Sequence, residues 1–410
     1  MNIINKENYK VPVFSWCPDI EENAMAQIDN LAQLPFVFKR IAIMSDCHSG
    51  YGMPIGGVMA TKGVIVPNAV GVDIGCGMCA VKTSLKDIST DALKIIMGKI
   101  RQVVPVGFKK HKEAQDIKSM PPIEDFEKDV MEECDIVYQE YENALKSLGT
   151  LGGGNHFIEI QKGDDGHIWI MIHSGSRNLG LKVANHYNKL AKEINKENFS
   201  EVPPSWDLAF LPIDSLWGQD YIREMNYCIE FALANRKLMM ERVKQVFKET
   251  IIIKTADMGP TELGNGTKPI EFDEMINIAH NYASMESHYG ENVMVHRKGA
   301  TLARKGTIGI IPGSQGTKSY IVEGLGNKES FESCSHGAGR TMGRKQAERE
   351  LNLEAEVKML NDQGIMHSIR TEKDLDEAPG AYKDISEVMD NQKDLVKILV
   401  EISPLAVIKG

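Results

Sequence analysis

The stretch Val70-Gly71-Val72-Asp73-Ile74-Gly75-Cys76-Gly77-Met78 places a carboxylate and a thiol three residues apart in a glycine-rich segment. Glycine allows the backbone to turn tightly and lets a ligand approach it closely. A carboxylate and a thiolate offered by one tight loop suit a divalent cation. The alternative interpretation is a buried cysteine in an ordinary turn. The stretch therefore predicts a compact loop and makes Asp73 and Cys76 candidate metal ligands.

Working outward, four more glycine clusters lie along the chain, each beside short strand-like runs or helical stretches. The further glycine clusters are Gly50–Gly63, Gly149–Gly154, Gly299–Gly326 and Gly337–Gly343. The predicted strands are Val37–Met44, Val64–Val66, Phe157–Ile160, Ile168–Ile172, Ile308–Ile311 and Ser319–Val322. One predicted helix is capped by Ser89 and carries Leu93, Ile96, Ile100 and Val103 on one face. The other predicted helices are Glu124–Leu148, Tyr221–Lys248, Phe272–His288 and Ile385–Val400.

Strands and helices alternate without a regular βαβ order, which favours an α+β fold over a doubly wound sheet. The glycine-rich loops are spread over most of the chain and make more sense around one shared site than as linkers. We therefore expect residues 1–410 to form one large catalytic domain, with mixed β-sheets flanked by helices around a central cleft that contains metal.

Composition bounds the function before any motif is considered. The 410 residues have a formal net charge of −10, with 42% hydrophobic and 25% charged residues, which excludes disordered and collagen-like chains. No apolar run reaches the roughly 18–20 residues of a membrane span, so no membrane association is expected. Seven cysteines without an apolar signal segment indicate a reducing cytoplasm rather than a disulfide framework.

Two histidines stand at the ends of predicted strands, His156 before Phe157 and His173 after Ile172. A hairpin through residues 164–166 would bring them to adjacent strand ends. Joined to Asp73 and Cys76, they form a mixed nitrogen, oxygen and sulfur set typical of a transition-metal site. Either histidine alone is more often a structural residue with its hydrogen bonds satisfied. His280 lies in a predicted helix beside apolar residues, and its local pattern favours a core histidine.

A further loop, Ser333-Cys-Ser-His336-Gly-Ala-Gly-Arg340, places a histidine among small residues with Arg344 nearby. Arginine binds phosphate in a bidentate manner, and the backbone N–H groups of such a loop bind anions. An imidazole there could act as a nucleophile that forms a phosphoramidate. The alternative is a glycine-rich helix start with an incidental histidine. A small-residue loop, Pro312–Lys318, also suits phosphate but lacks the Gly-Lys-Ser/Thr ending of a P-loop.

The order and identity of these motifs resemble the RtcB family of GTP-dependent RNA ligases from about Pro35 to Lys409-Gly410. The segments that carry the resemblance are Asp46-Cys-His-Ser-Gly-Tyr-Gly52, Pro54-Ile-Gly-Gly57, Val70–Met78, Gly152-Gly-Gly-Asn-His-Phe157, His173-Ser-Gly-Ser-Arg177, Arg297-Lys-Gly-Ala300, Pro312-Gly-Ser314 and His336-Gly-Ala-Gly-Arg340.

The resemblance implies an enzyme that uses GTP and two manganese ions to join an RNA 3′-phosphate or 2′,3′-cyclic phosphate end to a 5′-hydroxyl end, in tRNA splicing or RNA repair. It also implies a possible protein partner, archease. It places the guanylylated histidine at His336. The implied metal ligands are Asp73, Cys76, His156, His173 and His280. The implied GTP site comprises Asn155, Phe157, Glu159, Pro312, Ser314, Ser319, Gly337, Ala338, Gly339, Tyr382 and Lys409. RNA phosphate contact or support is implied for Asp46, Arg177 and Arg340.

Two other function classes remain open at the level of sequence: a metal-dependent RNA phosphatase or cyclic phosphodiesterase, and a catalytically silent RNA-binding protein. The chain departs from the family pattern at Gln315, where methionine is common, and at Ser45-Asp46-Cys47-His48 in place of Pro-Asp-Val-His. Charge is unevenly placed, since residues 123–143 carry −8 and residues 293–345 carry +6. The segment with His336 is therefore basic within an acidic chain, which favours local contact with RNA phosphates.

Overall fold

The computed structural model describes residues 1–123, 136–198, 200–257 and 269–410. The strands of these residues are β1 Asn2–Ile4, β2 Val13–Ser15, β3 Val37–His48, β4 Ile55–Thr61, β5 Val64–Ile65, β6 Gly77–Lys82, β7 Phe157–Gly163, β8 Ile168–Ser174, β9 Leu211–Pro212, β10 Ile276–Ala279, β11 Asn281–His288, β12 Glu291–Lys298, β13 Ala300–Leu302, β14 Ile308–Ile311, β15 Ser319–Gly324, β16 Ser333–Ser335 and β17 Val396–Lys409. The α-helices are α1 Glu22–Ala32, α2 Pro67–Val70, α3 Thr90–Val103, α4 Ile136–Ser147, α5 Leu179–Glu197, α6 Leu216–Asp257, α7 Arg344–Glu350, α8 Leu353–Asp362 and α9 Ile385–Asp390.

Two large sheets dominate the fold. The first has the order β1-β2-β3-β4-β12-β11, and only its β2–β3 pair is parallel. The second has the order β10-β6-β8-β7-β17-β15-β14 and is antiparallel throughout. The remaining short strands form the pairs β13–β16 and β5–β9. This mixture of sheets and helices confirms the predicted α+β class.

Both faces of each sheet are covered, so the strands are rich in aliphatic residues. One face of the second sheet, including Ile158 and Ile170, packs on α3 and α6 through Ile96, Met240 and Phe247. Burying side chains of this size stabilises the fold by about 1.5–3 kcal/mol each. The first sheet packs one face on α1 and the other on a core shared with β14, β15 and α9. None of the described helices is both long and apolar enough to cross a membrane.

The six predicted strands are confirmed as β3, β5, β7, β8, β14 and β15, with ends that differ by a few residues. The predicted hairpin between β7 and β8 is also confirmed, and its register pairs Phe157 with His173. Helix α3 begins where the capping residue predicted, because the Ser89 side chain accepts a hydrogen bond from the Ala92 N–H. Val103 was predicted to lie on the buried face of α3, but its side chain is 37% exposed. Residues at this spacing drift around the helix, away from its apolar stripe.

Two predicted helices are wrong. Residues 272–288 contain β10 and β11, because Ile276 and Ile278 alternate with polar residues and pair with β6. Residues 385–400 form a helix only to Asp390 and then enter β17, where β-branched residues complete the second sheet. The helix predicted over residues 221–248 is confirmed within α6. The helix predicted over residues 124–148 is confirmed from residue 136 onward, and its acidic first half lies outside the described residues.

Candidate active site

One end of the second sheet gathers the predicted metal ligands. Gly77 at the start of β6 pairs with Ser174 at the end of β8 and with Ala279 at the end of β10. Phe157 at the start of β7 pairs with His173. Four residues at or next to these positions therefore converge at one end of the sheet. They are Cys76, His156, His173 and His280.

The donor atoms lie close together within this cluster. The sulfur of Cys76 is 3.3 Å from His173 Nε2 and 3.5 Å from His156 Nε2, and the three ligand atoms all lie within 4.8 Å of one another. Asp73 extends the cluster on one side, with Oδ2 3.3 Å from His156 Nε2. His280 extends it on the other side, with Nε2 3.4 Å from His173 Nε2. Cys76 and His173 therefore occupy the centre, with Asp73 and His280 at the flanks.

The loop that presents Cys76 requires glycine. Gly75 has a positive φ of 76°, and a Cβ there would approach the carbonyl oxygen of Cys228 to 2.9 Å. Its N–H donates to the carbonyl of Asn281 at 2.9 Å, which ties the loop to the strand after His280. The glycine spacing in the sequence is thus explained by a left-handed turn packed directly against α6.

Burial keeps the imidazoles of His173 and His280 neutral. His173 donates its Nδ1–H to the Asn155 carbonyl at 2.8 Å, which leaves the Nε2 lone pair facing the cluster. Burial lowers the pKa of His173 to about 3 and that of His280 well below its usual value. Burial and the carboxylate of Asp73 raise the pKa of the Cys76 thiol. Burial acts to raise the pKa of Asp73, but the hydrogen bond with His156 acts in the opposite direction. The pKa is lowered to about 2 as a result.

The cluster fits a transition-metal ion by its donor chemistry. Imidazole nitrogens, a sulfur and a carboxylate oxygen converge on one small volume. The Nδ1 atom of His280 is buried and has no hydrogen-bond partner, although buried polar groups are normally paired. A cation bound here would be expected to displace the proton of Cys76, since metal ligands bind deprotonated.

His336 lies next to this cluster, with its ring centroid 4.7 Å from that of His280. The Asp46 carboxylate fixes it: Oδ2 accepts from His336 Nδ1 at 2.6 Å and from the backbone N–H groups of His336 and Gly337 at 3.1 and 3.2 Å. Because Nδ1 carries the donated proton, Nε2 is left with its lone pair. Gly339, with φ 76°, is required because a Cβ there would come within 2.2 Å of the Asp46 carbonyl oxygen.

A cavity of about 990 Å³ connects His336 with the metal-ligand cluster and most of the predicted nucleotide residues. The predicted GTP-site residues that line it are Asn155, Phe157, Glu159, Pro312, Ser314, Gly337, Ala338, Gly339, Tyr382 and Lys409. Ser319 is not among the lining residues. Its hydroxyl accepts from the Gly313 N–H at 3.1 Å and from Gln161 at 3.3 Å, so it supports the Pro312 loop from behind.

Glu159 is the buried carboxyl group of this cavity. Burial raises its pKa to about 8, and its side-chain hydrogen-bond partner is Gln161 Nε2 at 2.7 Å. A carboxyl group in this state holds unused acceptor capacity toward the cavity. It is therefore poised to receive donors from a bound ligand.

The predicted phosphate contacts differ in how they are engaged. Arg177 lines the cavity with backbone φ of 55°, and its guanidinium lies 3.4 Å from His156 Nδ1 and 3.1 Å from Thr150 Oγ1. Arg340 is held by protein groups, with Glu377 Oε2 at 2.8 Å and the Asp376 carbonyl at 2.6 Å. In this structure Arg340 thus braces the cavity wall.

Glu377 and Asp376 were not found by sequence reasoning. Glu377 also binds Arg344 at 2.6 Å and the Tyr382 hydroxyl, while Asp376 binds Lys409. Gln315, one of the departures from the family pattern, donates to the Glu377 carbonyl at 2.9 Å. These carboxylates lie in an acidic run that carries no motif, so only the fold reveals their partners.

Arg236 and Asn235 on α6 were also missed. The Arg236 guanidinium is fully buried and donates to the carbonyls of Gly75 and Ser174 at 2.9 and 2.8 Å. Asn235 accepts from the N–H groups of Gly149 and Thr150 and donates to the Gly175 carbonyl. Two adjacent polar residues on the buried face of a long helix were the available signal.

The fold places a histidine beside a cysteine–histidine cluster whose donor atoms could hold a metal ion, an arrangement that points to an enzyme. A family model described as tRNA-splicing ligase RtcB matches residues 27–410, so the chain belongs to the RtcB family. This confirms the predicted family and, with it, an enzyme of the RNA ligase class.

Three relatives illustrate the similarity. The RNA-splicing ligase RtcB of Escherichia coli (strain K12) is 39% identical, over 100% of this chain and 99% of its own length. The tRNA-splicing ligase RtcB of Thermococcus kodakarensis is 30% identical over 95% of this chain and 92% of its own. The RNA-splicing ligase RtcB homolog 1 of Entamoeba dispar is 32% identical over 99% of this chain and 86% of its own length.

Proposed function

We propose that this chain is a GTP- and manganese-dependent RNA ligase that joins RNA 3′-phosphate or 2′,3′-cyclic phosphate ends to 5′-hydroxyl ends. The observation that carries the proposal is the pairing of His336 with Asp46 at the border of the metal-ligand cluster. A histidine held by a carboxylate, with its other nitrogen free and turned toward a cavity of nucleotide size, suits covalent nucleotide transfer.

His336 is the nucleophile in this proposal. Its Nε2 attacks the α-phosphorus of GTP, the bond to the β-phosphate oxygen breaks, and pyrophosphate leaves. The Asp46 carboxylate keeps the proton on Nδ1 and stabilises the positive charge that develops on the ring. The product is a phosphoramidate between His336 and GMP.

The GMP group then moves to the RNA. An oxygen of the RNA 3′-phosphate attacks the histidine-bound phosphorus and releases His336. The 5′-hydroxyl of the second RNA end attacks the activated 3′-phosphate, and GMP leaves as the new phosphodiester forms. A 2′,3′-cyclic phosphate end first requires hydrolysis to the 3′-phosphate. Positioning and charge neutralisation dominate phosphoryl transfer of this kind.

Asp73, Cys76, His156, His173 and His280 would hold two Mn²⁺ ions. The convergence of these donor atoms on one small volume supports this assignment. Bound cations here would neutralise phosphate charge and polarise phosphorus–oxygen bonds. Arg177, at the edge of the same cluster, would contribute a fixed positive charge toward RNA phosphate.

The guanine base would be recognised by Glu159, supported by Asn155, Phe157 and the residues around Tyr382 and Lys409. The Watson–Crick edge of guanine presents two N–H donors, which a carboxylate accepts together, whereas adenine presents an acceptor at N1. These donors would stabilise the ionised carboxylate and lower the raised pKa of Glu159 on binding.

Residues 1–410 would act as one catalytic domain, because Asp46 comes from the first sheet and the metal ligands from the second. Roles in tRNA splicing or RNA repair and an activating partner such as archease belong to the same proposal. A cytoplasmic location stays a prediction from cysteine usage.

The proposal is tested by incubating the protein with α-labelled GTP and Mn²⁺ and resolving it on a denaturing gel. We expect covalent label on the wild-type chain and on His367→Ala, a control outside the cavity, but none on His336→Ala. Phosphate release from RNA ends without a covalent adduct would indicate a phosphatase or cyclic phosphodiesterase instead. If neither reaction occurs with metal present, the chain is a silent RNA-binding member of the family.

A further inference from the structure

The mouth of the active-site cavity carries a loop with no role in the nucleotide chemistry. Residues 107–110 read Gly-Phe-Lys-Lys, and all four line the cavity at its opening. The side chain of Phe108 is 102% exposed, and those of Lys109 and Lys110 are exposed as well. A single exposed aromatic residue is ordinary on a protein surface. This one differs because it stands at the entrance to a phosphate-transfer site.

Both ends of the loop are anchored to the site. The Gly107 N–H donates to the Gly152 carbonyl at 2.9 Å, and Val106 forms a β-bridge with the same residue. Gly152 begins the run that leads directly to Asn155 and His156. The position of Phe108 is therefore coupled to the backbone that presents a metal ligand.

The far side of the loop is held equally firmly. The His111 N–H donates to the Lys146 carbonyl at 3.0 Å, and the His111 ring nitrogen Nε2 lies 2.9 Å from Arg242 Nη1. Arg242 also donates to the Gly149 carbonyl at 2.9 Å. The backbone of the loop is therefore fixed at both ends, which reduces the backbone entropy lost when a ligand packs on the loop.

The charge of the loop favours an anionic partner. Among the residues that the structure describes, no carboxylate forms an ion pair with Lys109 or Lys110. Two ammonium groups beside a flat apolar ring match the alternation of phosphate and base in a single strand of nucleic acid. Aromatic stacking accepts any base, and the lysines follow the backbone.

We propose that residues 107–110 form a platform for the unpaired end of the RNA substrate. Phe108 stacks on a nucleobase near the end to be joined, and Lys109 and Lys110 contact the adjoining backbone phosphates. This inference rests on the proposed function and names its substrate class: RNA ends in an unstacked single strand or loop, since bases inside a duplex are stacked on both faces and leave none for the ring.

The first experiment measures RNA affinity directly. Fluorescence anisotropy of a labelled single-stranded RNA with a 3′-phosphate compares wild-type protein, Phe108→Ala, Phe108→Trp and Tyr138→Ala. Tyr138 is a matched control, because it is 50% exposed on α4 and does not line the cavity. We expect Phe108→Ala to raise Kd about tenfold, as for the loss of one stacked base. Phe108→Trp and Tyr138→Ala should bind like the wild type.

The lysines are tested by salt dependence. Each lost phosphate contact with a single strand should reduce the slope of log Kd against log salt concentration by about 0.7. The double variant Lys109→Ala/Lys110→Ala, which loses two such contacts, should reduce the slope by about 1.4. Lys86→Ala/Lys94→Ala should not, because these exposed lysines lie away from the cavity.

The second experiment measures ligation per guanylylated enzyme, so that damage to the nucleotide site is factored out. Phe108→Ala should raise KM for RNA with unpaired ends, with little change in kcat. Equal Kd and KM values for Phe108→Ala and the wild type overturn the platform, as does an effect that appears only with a protein partner. A wild-type chain that forms no adduct at His336 overturns the proposed function, while the binding measurement still decides the platform.

Discussion

His336 and His173 are each oriented by a hydrogen bond from Nδ1, to the Asp46 carboxylate and to the Asn155 carbonyl. In both rings this leaves Nε2 as the free nitrogen, and the two rings face the same cavity. The sequence identified both histidines through their small-residue surroundings. It gave no local signal for their tautomers, because the partners are 290 and 18 residues away.

Replacing Asp46 by Asn tests the orientation of His336. The amide is nearly isosteric but carries no charge, so it stabilises the developing imidazolium poorly. We expect the rate of guanylylation to fall by about 10²–10⁴, as for loss of the orienting carboxylate in related histidine systems. Single-turnover labelling with GTP provides the rate. An unchanged rate at saturating GTP would contradict the positioning role of Asp46.

Replacing Cys76 by Ala tests the centre of the metal-ligand cluster. Removal of the sulfur should abolish guanylylation and weaken Mn²⁺ binding, measured separately by calorimetry on the apoprotein. Cys79→Ala is the matched control, since this cysteine is buried on β6, the strand that directly follows Cys76, but its sulfur is 3.9 Å from the Arg236 carbonyl and outside the cluster. A Cys76→Ala protein that is guanylylated normally would refute the assigned site.

At the scale of elements, the strands that frame the site were predictable because their apolar runs end in glycine or histidine. The stretch over residues 272–288 was not, since His280 sits between β10, whose pairing partner β6 is remote in sequence, and β11, which pairs with the next strand, β12. His280 entered the candidate site only through the family resemblance. Short apolar runs are ambiguous between helix and strand until long-range pairing is known.

Helix α6 contributes to the site through Arg236, which bridges the loop that carries Cys76 and the end of β8 that carries His173. Arg236→Met would keep the apolar stem but leave the Gly75 and Ser174 carbonyls without their donor. Each such unpaired group costs about 1–3 kcal/mol, so we expect the free energy of unfolding to fall by about 2–5 kcal/mol. Loss of this supporting bond should also weaken Mn²⁺ binding about 10–100-fold.

Chemical denaturation and metal titration check these two effects. Arg349→Met on α7 serves as the control, because this arginine is exposed and forms no ion pair with a described residue. Wild-type stability in Arg236→Met would show that the carbonyls find other donors and would contradict the bridging role.

At the scale of the whole molecule, a buried histidine makes the free energy of unfolding depend on pH. His296 lies at the centre of the first sheet, where Nε2 accepts from the Val66 N–H at 2.9 Å and Nδ1 lies 3.2 Å from the Met59 carbonyl. Burial lowers its pKa to about 4, against 6.5 in the unfolded chain. Between these values the unfolded chain binds a proton that the folded chain does not, so stability falls as the pH falls.

We therefore expect His296 to lower the free energy of unfolding by about 1.4 kcal/mol for each unit that the pH falls between 6.5 and 4. His296→Gln keeps a donor and an acceptor but does not titrate. Denaturant unfolding of the apoprotein at pH 6.5 and 4.5 should give a flatter dependence for this variant. An identical slope in the two proteins would mean that His296 is protonated in the folded state.

The topology of the second sheet has a consequence for biosynthesis. Strand β17 lies in the interior of that sheet, between β7 and β15, and Lys409 on it pairs with Phe157 beside His156. Until residues 396–409 have left the ribosome, β7 has a bare edge and the nucleotide cavity lacks one wall. A nascent chain that holds every proposed metal ligand but lacks β17 therefore has an incomplete cavity, and its exposed strand edge invites pairing with other chains. The cavity beside His336 is completed only when β17 joins β7 and β15.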